Sequence, residues 1–386
     1  MDDAVPISEA DEQALLDSID RWLTRKVAPV AAKYEQADEY PTELVDDMCE
    51  MGLFGALIEP QYGGLGLPAT TYSRIVARIS EEWMSLTGFF NSHLMMALIV
   101  QKFGTQAQKE HWLPRFATGE LRGGLALTEP DCGTDLQAIR TVARRRGDSY
   151  VVNGTKTWIS NGIEGSCFAV LVKTDSRAEP PRRGMSMFIM EKGPGFTVSR
   201  RLEKLGYKGI DSAELVFDAY RVPAANLLAA EGRGFYLAVG GLELGRINVA
   251  ARGVGLAQAA LDQALDYSQV RKSFGKPICE HQAIQLKLGE MATRVEASRL
   301  LLESAARAYD SGERCDVEAG MAKYFASEAA AENAFEAMRI HGAYGYAKEF
   351  MIERLYRDAP LLCIGEGTNE MQRIIIARQL IERNKV

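Results

Sequence analysis

Several things that this chain of 386 residues is short of narrow its chemistry first. Its six cysteines, at 49, 132, 167, 279, 315 and 363, are scattered, and no CxxC pair occurs. That pattern argues against a zinc knuckle or a disulfide frame and fits free thiols in a reducing compartment. The four histidines, at 93, 111, 281 and 341, are equally dispersed, with no HExxH, so no metal site is expected. GxxxxGK[ST] is absent, which removes the usual phosphate-binding loop. No apolar run reaches the ~18 residues of a membrane span, so none is expected. Positive charge is in deficit: the net charge of −7 argues against a general nucleic-acid binder. The opening MDDAVPISEADE is acidic and resembles neither a signal peptide nor a basic transit peptide, so a cytoplasmic protein is expected.

What remains is patterned apolar sequence, long enough for two or three domains. From 8 to about 120 it reads as helix: Ser8 and Asp11 resemble a capping box, and Leu15, Leu16, Ile19, Trp22 and Leu23 recur at helical spacing. Pro41 suits the first turn of a further helix carrying Leu44, Val45 and Met48. The glycine-rich 59–68 stretch, EPQYGGLGLP, reads as a connection. From 123 the pattern changes to strand formers, with Gly147-Asp148 and Asn153-Gly154 as turn signals, and an antiparallel sheet packed as a sandwich or barrel is expected. Arg144–Arg146 reads as a solvated strand face. Beyond 233 long helical segments return, near 236–268, 281–310 and 316–340, lengths that suit a bundle. The expectation is an α+β chain in three parts: an N-terminal all-α domain (1–122), a central antiparallel β-sandwich or barrel domain (123–232) and a C-terminal four-helix bundle (233–386).

Three stretches carry candidate chemistry. In 364–373, IGEGTNEMQR, one carboxylate, Glu366, stands between two glycines ahead of a helix that Thr368 or Asn369 can cap. A base beside free helix N–H groups suits proton abstraction next to a carbonyl, although such a carboxylate alone is more often a solvated turn residue. In the β region, LALTEPDCGT (125–134) ends a short strand in a turn rich in hydroxyls. Trp158 beside Ser160 offers a wall for a flat ring, or simply covers the sheet. Arg271 and Phe274 sit in a loop between helices, where an Arg pairs well with phosphate. Gly253-Val-Gly255 has no strand before it and reads as close helix packing, not as a dinucleotide loop.

Taken in order, LALTEPDCGTD (125–135), NGTKTWISNG (153–162), EKLGYKGIDSAELVFD (203–218), VRKSFGKPICEHQAIQ (270–285), RIHGAYGY (339–346) and IGEGTNEMQR (364–373) resemble the acyl-CoA dehydrogenase family over essentially the whole chain. The resemblance implies FAD as cofactor, a coenzyme A thioester as substrate, and a homotetramer whose flavins are each shared by two subunits. It implies flavin contacts from Leu125, Leu127, Thr128, Gly133 and Thr134 and from Trp158, Ile159 and Ser160. Across a subunit interface it implies contacts from Arg271, Phe274, His281, Gln282, Arg339, Gly342 and Ala343, with Thr368 and Glu370 completing the site. Substrate contacts are implied for Thr134, Glu243, Arg246 and Gly367. Glu366 is implied as the base that takes the α-proton while the β-hydride passes to the flavin. The product is then a trans-2-enoyl-CoA, and the electrons go on to an electron-transferring flavoprotein. An oxidase of the same fold and a non-catalytic acyl-CoA-binding relative are the alternatives.

The chain also departs from the family's pattern. Gly365 stands where many straight-chain members have Tyr, which would remove a wall of the acyl pocket. Arg339 and Ala343 replace the more usual Gln and Gly, and Ser160 the common Thr. Some relatives carry the base just before the residue matching Arg246; here that position is Gly245, and Glu243 lies two residues away.

Overall fold

The computed structural model describes residues 7–240 and 242–385, so the first six residues of the acidic start lie outside it. Helices come first: α1 (Glu9–Trp22), α2 (Ala31–Ala37), α3 (Thr42–Glu50), α4 (Ala69–Trp83), α5 (Ser85–Phe103) and α6 (Gln106–Ala117). Ser8 caps α1 as its sequence suggests, accepting from the Asp11 N–H and donating to the Asp11 carboxylate at 2.6 Å. Pro41 stands just before α3, which starts at Thr42. The 59–68 stretch is a connection with one short helical turn. Helix α5 is apolar all round and nearly all buried, which makes it a core helix and not a surface one.

Seven strands follow: β1 (Gly123–Ala126), β2 (Val142–Arg146), β3 (Ser149–Ser160), β4 (Cys167–Lys173), β5 (Met185–Glu191), β6 (Phe196–Arg201) and β7 (Ser212–Pro223). They form one curled sheet in the order β1-β4-β2-β3-β7-β6, with β5 on β4. The antiparallel expectation holds for four of the pairs and fails at one end, where β1 runs parallel to β4 and β2 meets β4 in a single parallel step. The reason is that β1 arrives directly from the helices and is pinned to them: the Leu125 N–H donates to Ser92 Oγ on α5. Tyr150, Phe168, Phe188, Phe196 and Phe217 fill the sheet's own core. Arg144, Arg145 and Arg146 are exposed, the solvated face expected.

The last part holds α7 (Gly234–Gly240), α8 (Leu242–Val270), a small hairpin of β8 (Lys272–Ser273) and β9 (Lys276–Pro277), α9 (Gln282–Asp310), α10 (Asp316–His341), α11 (Met351–Ile364) and α12 (Asn369–Arg383). Helix α8 is the hub. A Cβ on Gly253 would stand 2.7 Å from the Ala326 carbonyl of α10, and one on Gly255 2.2 Å from the Ala77 carbonyl of α4. These glycines therefore serve helix-on-helix approach, as their sequence context suggests. Alanines on the facing sides of α8 and α10 continue the close contact. The tight packing fixes α8 against both helical regions, and the candidate site is built on it.

Candidate active site

Helix α11 ends at Ile364 and the chain reverses within four residues. Glu366 takes φ 54° and Gly367 φ 86°. A left-handed backbone is unremarkable for glycine and strained for glutamate, the kind of cost that persists where the surroundings enforce it. Gly365 needs no such freedom: its φ of −69° and ψ of 157° suit any residue. Thr368 then caps α12. The reversal turns the Glu366 side chain back onto α8, where a Cβ on Gly245 would lie 3.0 Å from Glu366 Oε2 and 3.7 Å from Met95 Sδ of α5. Gly245 thus clears the ground on which the carboxylate rests.

Buried Lys323, on α10, holds the loop. Its Nζ donates to the Gly367 carbonyl at 2.9 Å, to Asn369 Oδ1 at 2.7 Å and to the Cys363 carbonyl at 3.4 Å. Gln372 Nε2 also donates to the Gly367 carbonyl, at 3.1 Å. Burial pulls the Lys323 ammonium down to about 8. Glu366 as a residue is half-buried, but its carboxyl end packs onto α8, and that burial pushes it above its usual range, opposed by Arg252 first and then by Arg246 and Lys323. Among the described residues, Glu366 forms no ion pair with any of the three, so its charge is favoured at a distance and not clamped by contact. No protein acceptor takes the Glu366 N–H among the described residues. A desolvated carboxylate next to a free N–H can remove a proton and stabilise the resulting oxyanion.

Arg246 is buried and its Nε has no partner. Glu243, half-buried at the start of α8, is pushed up by burial and by Asp316 and lies in the field of Arg246, Lys102 and Arg314. It therefore belongs to the helix's charged entrance and not to the spot where Glu366 rests.

A second group of expected residues comes together on the sheet. Glu129 and Lys156 form a buried pair at 2.8 Å. Lys156 also reaches the Leu127 carbonyl at 3.0 Å, and Glu129 accepts the Arg140 and Thr141 N–H groups. Burial alone would raise the Glu129 carboxyl, but Lys156 and those N–H donors hold it below the usual range. A bond from the Thr157 N–H to the Thr128 carbonyl, 2.9 Å, ties the 127–134 loop to β3. At that point the β3–β7 register slips between Lys156 and Ile159, and Trp158, at φ 59°, is thrown outward with 59% of its surface exposed. Gly133 and Thr134 are exposed and Leu125, Leu127, Thr128 and Ser160 half-buried. Ile159 differs: its side chain is buried in the sheet core, so it could reach a ligand only through its backbone. An exposed indole next to hydroxyls and loop N–H groups fits the flat ring and polar chain of a flavin.

The third group lies at one end of the bundle. The β8–β9 hairpin presents Phe274 with 97% of its surface exposed. His281 Nε2 meets Ser273 Oγ at 3.1 Å, and Arg271 lies over the Tyr344 ring at 5.9 Å. Gln282, Gly342 and Ala343 are exposed beside them. Arg339 is engaged by Glu336 at 2.7 Å, so it is not free to take a phosphate without breaking that pair. Among the described residues no hydrogen bond, ion pair or ring contact joins this group to Trp158 or Thr134. The single chain therefore assembles the Glu366 group, the Trp158 group and the Phe274 group separately, with Thr368 and Glu370 beside the first.

Lys323, Arg252, Asn248 and Tyr207 were missed in the sequence. Their signal was present: Lys323 and Arg252 each interrupt an otherwise small or apolar stripe of a long helix, at the spacing of its buried face.

The chain matches the three acyl-CoA dehydrogenase family models: N-terminal domain over 9–120, middle domain over 124–220 and C-terminal domain over 232–381. It is 41% identical over 373 residues to an acyl-CoA dehydrogenase of Bacillus subtilis, covering 96% of this chain and 98% of that one. Butyryl-CoA dehydrogenase of Megasphaera elsdenii superposes with a TM-score of 0.93 at 35% identity, over 99% of this chain and 100% of the other. A chain from a structure of the electron transferring flavoprotein of Acidaminococcus fermentans superposes with a TM-score of 0.94 at 37% identity, over 99% and 100%.

Proposed function

Since the chain belongs to the acyl-CoA dehydrogenase family, we propose that it dehydrogenates an acyl-CoA thioester between Cα and Cβ, with Glu366 as the base. The observation that carries this is the Glu366 carboxylate itself, desolvated on Gly245 by a strained backbone and electrostatically supported by three cations. The α-proton of a thioester is a very weak acid. A base with a raised pKa is better matched to it than a solvated carboxylate. The free Glu366 N–H would bind the thioester oxygen as negative charge gathers there. Gly367, exposed beside it, leaves that approach open. Arg246 would help to hold the coenzyme A portion, with Glu243 at the same entrance. Thr134 and Trp158 would bound the reacting groups from the sheet side.

FAD, bound against the Trp158 group, would supply the hydride acceptor for the β-hydrogen. Its adenine-dinucleotide portion would be taken by Arg271, Phe274, His281 and Gln282, with Gly342 and Ala343, of a neighbouring subunit. A homotetramer would accommodate that arrangement. The likeness to a chain from the electron transferring flavoprotein structure supports such a flavoprotein as electron acceptor. The test is Glu366→Gln: the purified variant should remain yellow yet fail to bleach with any acyl-CoA. Bleaching at the wild-type rate would remove Glu366 from the mechanism.

A further inference from the structure

Beyond Glu366 two helices, α5 and α8, continue from the spot where its carboxylate rests. Met95 of α5 meets Gly245 of α8 at the Glu366 end. Two turns further along each helix, Arg252 NH2 donates to the Thr87 carbonyl at 3.3 Å. Residues 245, 248 and 252 share one face of α8, and 95, 91 and 87 one face of α5. The two helices therefore lie side by side along a path about 10 Å long, the rise of seven residues. Side chains lean toward a helix N-terminus, so Arg252 is tilted back along this path toward Gly245.

The far end is polar, and its polar atoms are incompletely matched. Asn91 Oδ1, Asn248 Oδ1 and Arg252 Nε are buried without a hydrogen-bond partner. All three residues are at least nine-tenths buried. Arg252 NH1 has the Tyr207 hydroxyl at 3.2 Å, and Asn248 Nδ2 the Tyr72 hydroxyl at 2.8 Å. Both bonds of Arg252 go to neutral oxygens; among the described residues it has no carboxylate in ion-pair contact, and Glu366 acts on it only from a distance. A buried guanidinium satisfied only by neutral groups is disfavoured unless an anion meets it. A methyl-ended chain would leave Arg252 Nε and both Asn carbonyl oxygens unmet. A carboxylate would accept from Arg252, and the Asn91 and Asn248 amides can turn to donate to it.

Resting on the reading of Glu366 as the dehydrogenating base, we infer that the preferred substrate is an ω-carboxyacyl-CoA whose distal carboxylate is read by Arg252, with Asn248 and Asn91 beside it. Arg252 is then a specificity-determining residue of the acyl site.

The holoenzyme should be assayed by flavin bleaching and steady-state turnover with glutaryl- and adipoyl-CoA against pentanoyl- and hexanoyl-CoA. At least one carboxylated chain should exceed its plain partner in kcat/KM by about tenfold or more, the effect of one hydrogen bond to a charged group. Arg252→Gln also removes a cation that faces Glu366, so kcat should fall for all four chains alike, while the carboxylated-to-plain ratio in kcat/KM should drop to about one. If Arg252→Gln does not retain flavin, the wild-type ratios decide alone. Plain chains that bleach as well as or better than carboxylated ones at both lengths overturn the inference and leave the dehydrogenase reading standing. No bleaching with any of the four overturns both.

Discussion

Replacing Lys323 by methionine separates holding the loop from holding the fold. The side chain keeps its apolar stem and loses its charge. In the native protein Nζ serves the Gly367 and Cys363 carbonyls and Asn369 Oδ1. Gln372 still donates to Gly367 in the variant, so two acceptors are left, a cost of roughly 2–4 kcal/mol. Against this, the native ammonium is itself disfavoured. A lysine lowered to about 8 from 10.5 carries a penalty of about 3 kcal/mol, fully present below pH 8 and relieved as pH rises toward 10.5. The two effects nearly cancel at pH 7, and the unfolding free energy should shift by no more than ~1–2 kcal/mol. Activity should not be spared. With Gly367 less tightly held, Glu366 moves relative to the substrate, and a displacement of about 1 Å costs on the order of 100-fold in rate. The lost cation also removes support for the Glu366 carboxylate, leaving Arg252 and Arg246 facing it, so its raised pKa should rise further. The acid limb of the kcat/KM profile then moves to higher pH. Denaturant unfolding, kcat and the pH profile together check this. A variant with wild-type kcat and an unmoved acid limb would refute the positioning argument, even if its stability matched.

Gly245→Ala places a methyl 3.0 Å from Glu366 Oε2, so kcat should fall tenfold or more at full flavin content, measured by bleaching rate. Lys156→Met leaves Glu129 charged and buried, which should cost about 3–5 kcal/mol in thermal or denaturant unfolding and loosen flavin retention on dilution.

How much of this was legible in the residues differs from feature to feature. The helical, β and helical order followed from periodicity, because a change from helix spacing to strand formers at 123 is a local signal. Thr368 as cap and Gly253-Val-Gly255 as packing glycines were also local readings, and α12 and the Ala326 and Ala77 carbonyls bear them out. The parallel entry of β1 was not legible, since it depends on Ser92 of a distant helix holding Leu125. The contact between Glu366 and Gly245 spans more than a hundred residues and had no local trace beyond the small size of Gly245. Ile159 was expected at the flavin because it lies between Trp158 and Ser160; the bulge sends its neighbour outward while its own side chain enters the core. Arg252 and Lys323 left a trace, each breaking a small or apolar stripe at buried-face spacing, but a cation in a long helix is usually a solvated one, and packing on both sides is what identifies these two as buried.

Gly365 has a consequence for how such an enzyme can change. Its backbone is one that any residue adopts, and a Cβ there would meet the Leu361 carbonyl at 3.3 Å, a contact that a shift of a few tenths of an ångström relieves. Gly245 and Gly367 differ: a Cβ on the first would push the Glu366 carboxylate, 3.0 Å away, from its place, and the second has a φ of 86°. Three glycines around one carboxylate therefore sit under different evolutionary constraints. Two are constrained by the carboxylate and the turn they accommodate. The third carries no such constraint, so a single codon change can place a side chain beside that carboxylate without first destabilising the fold.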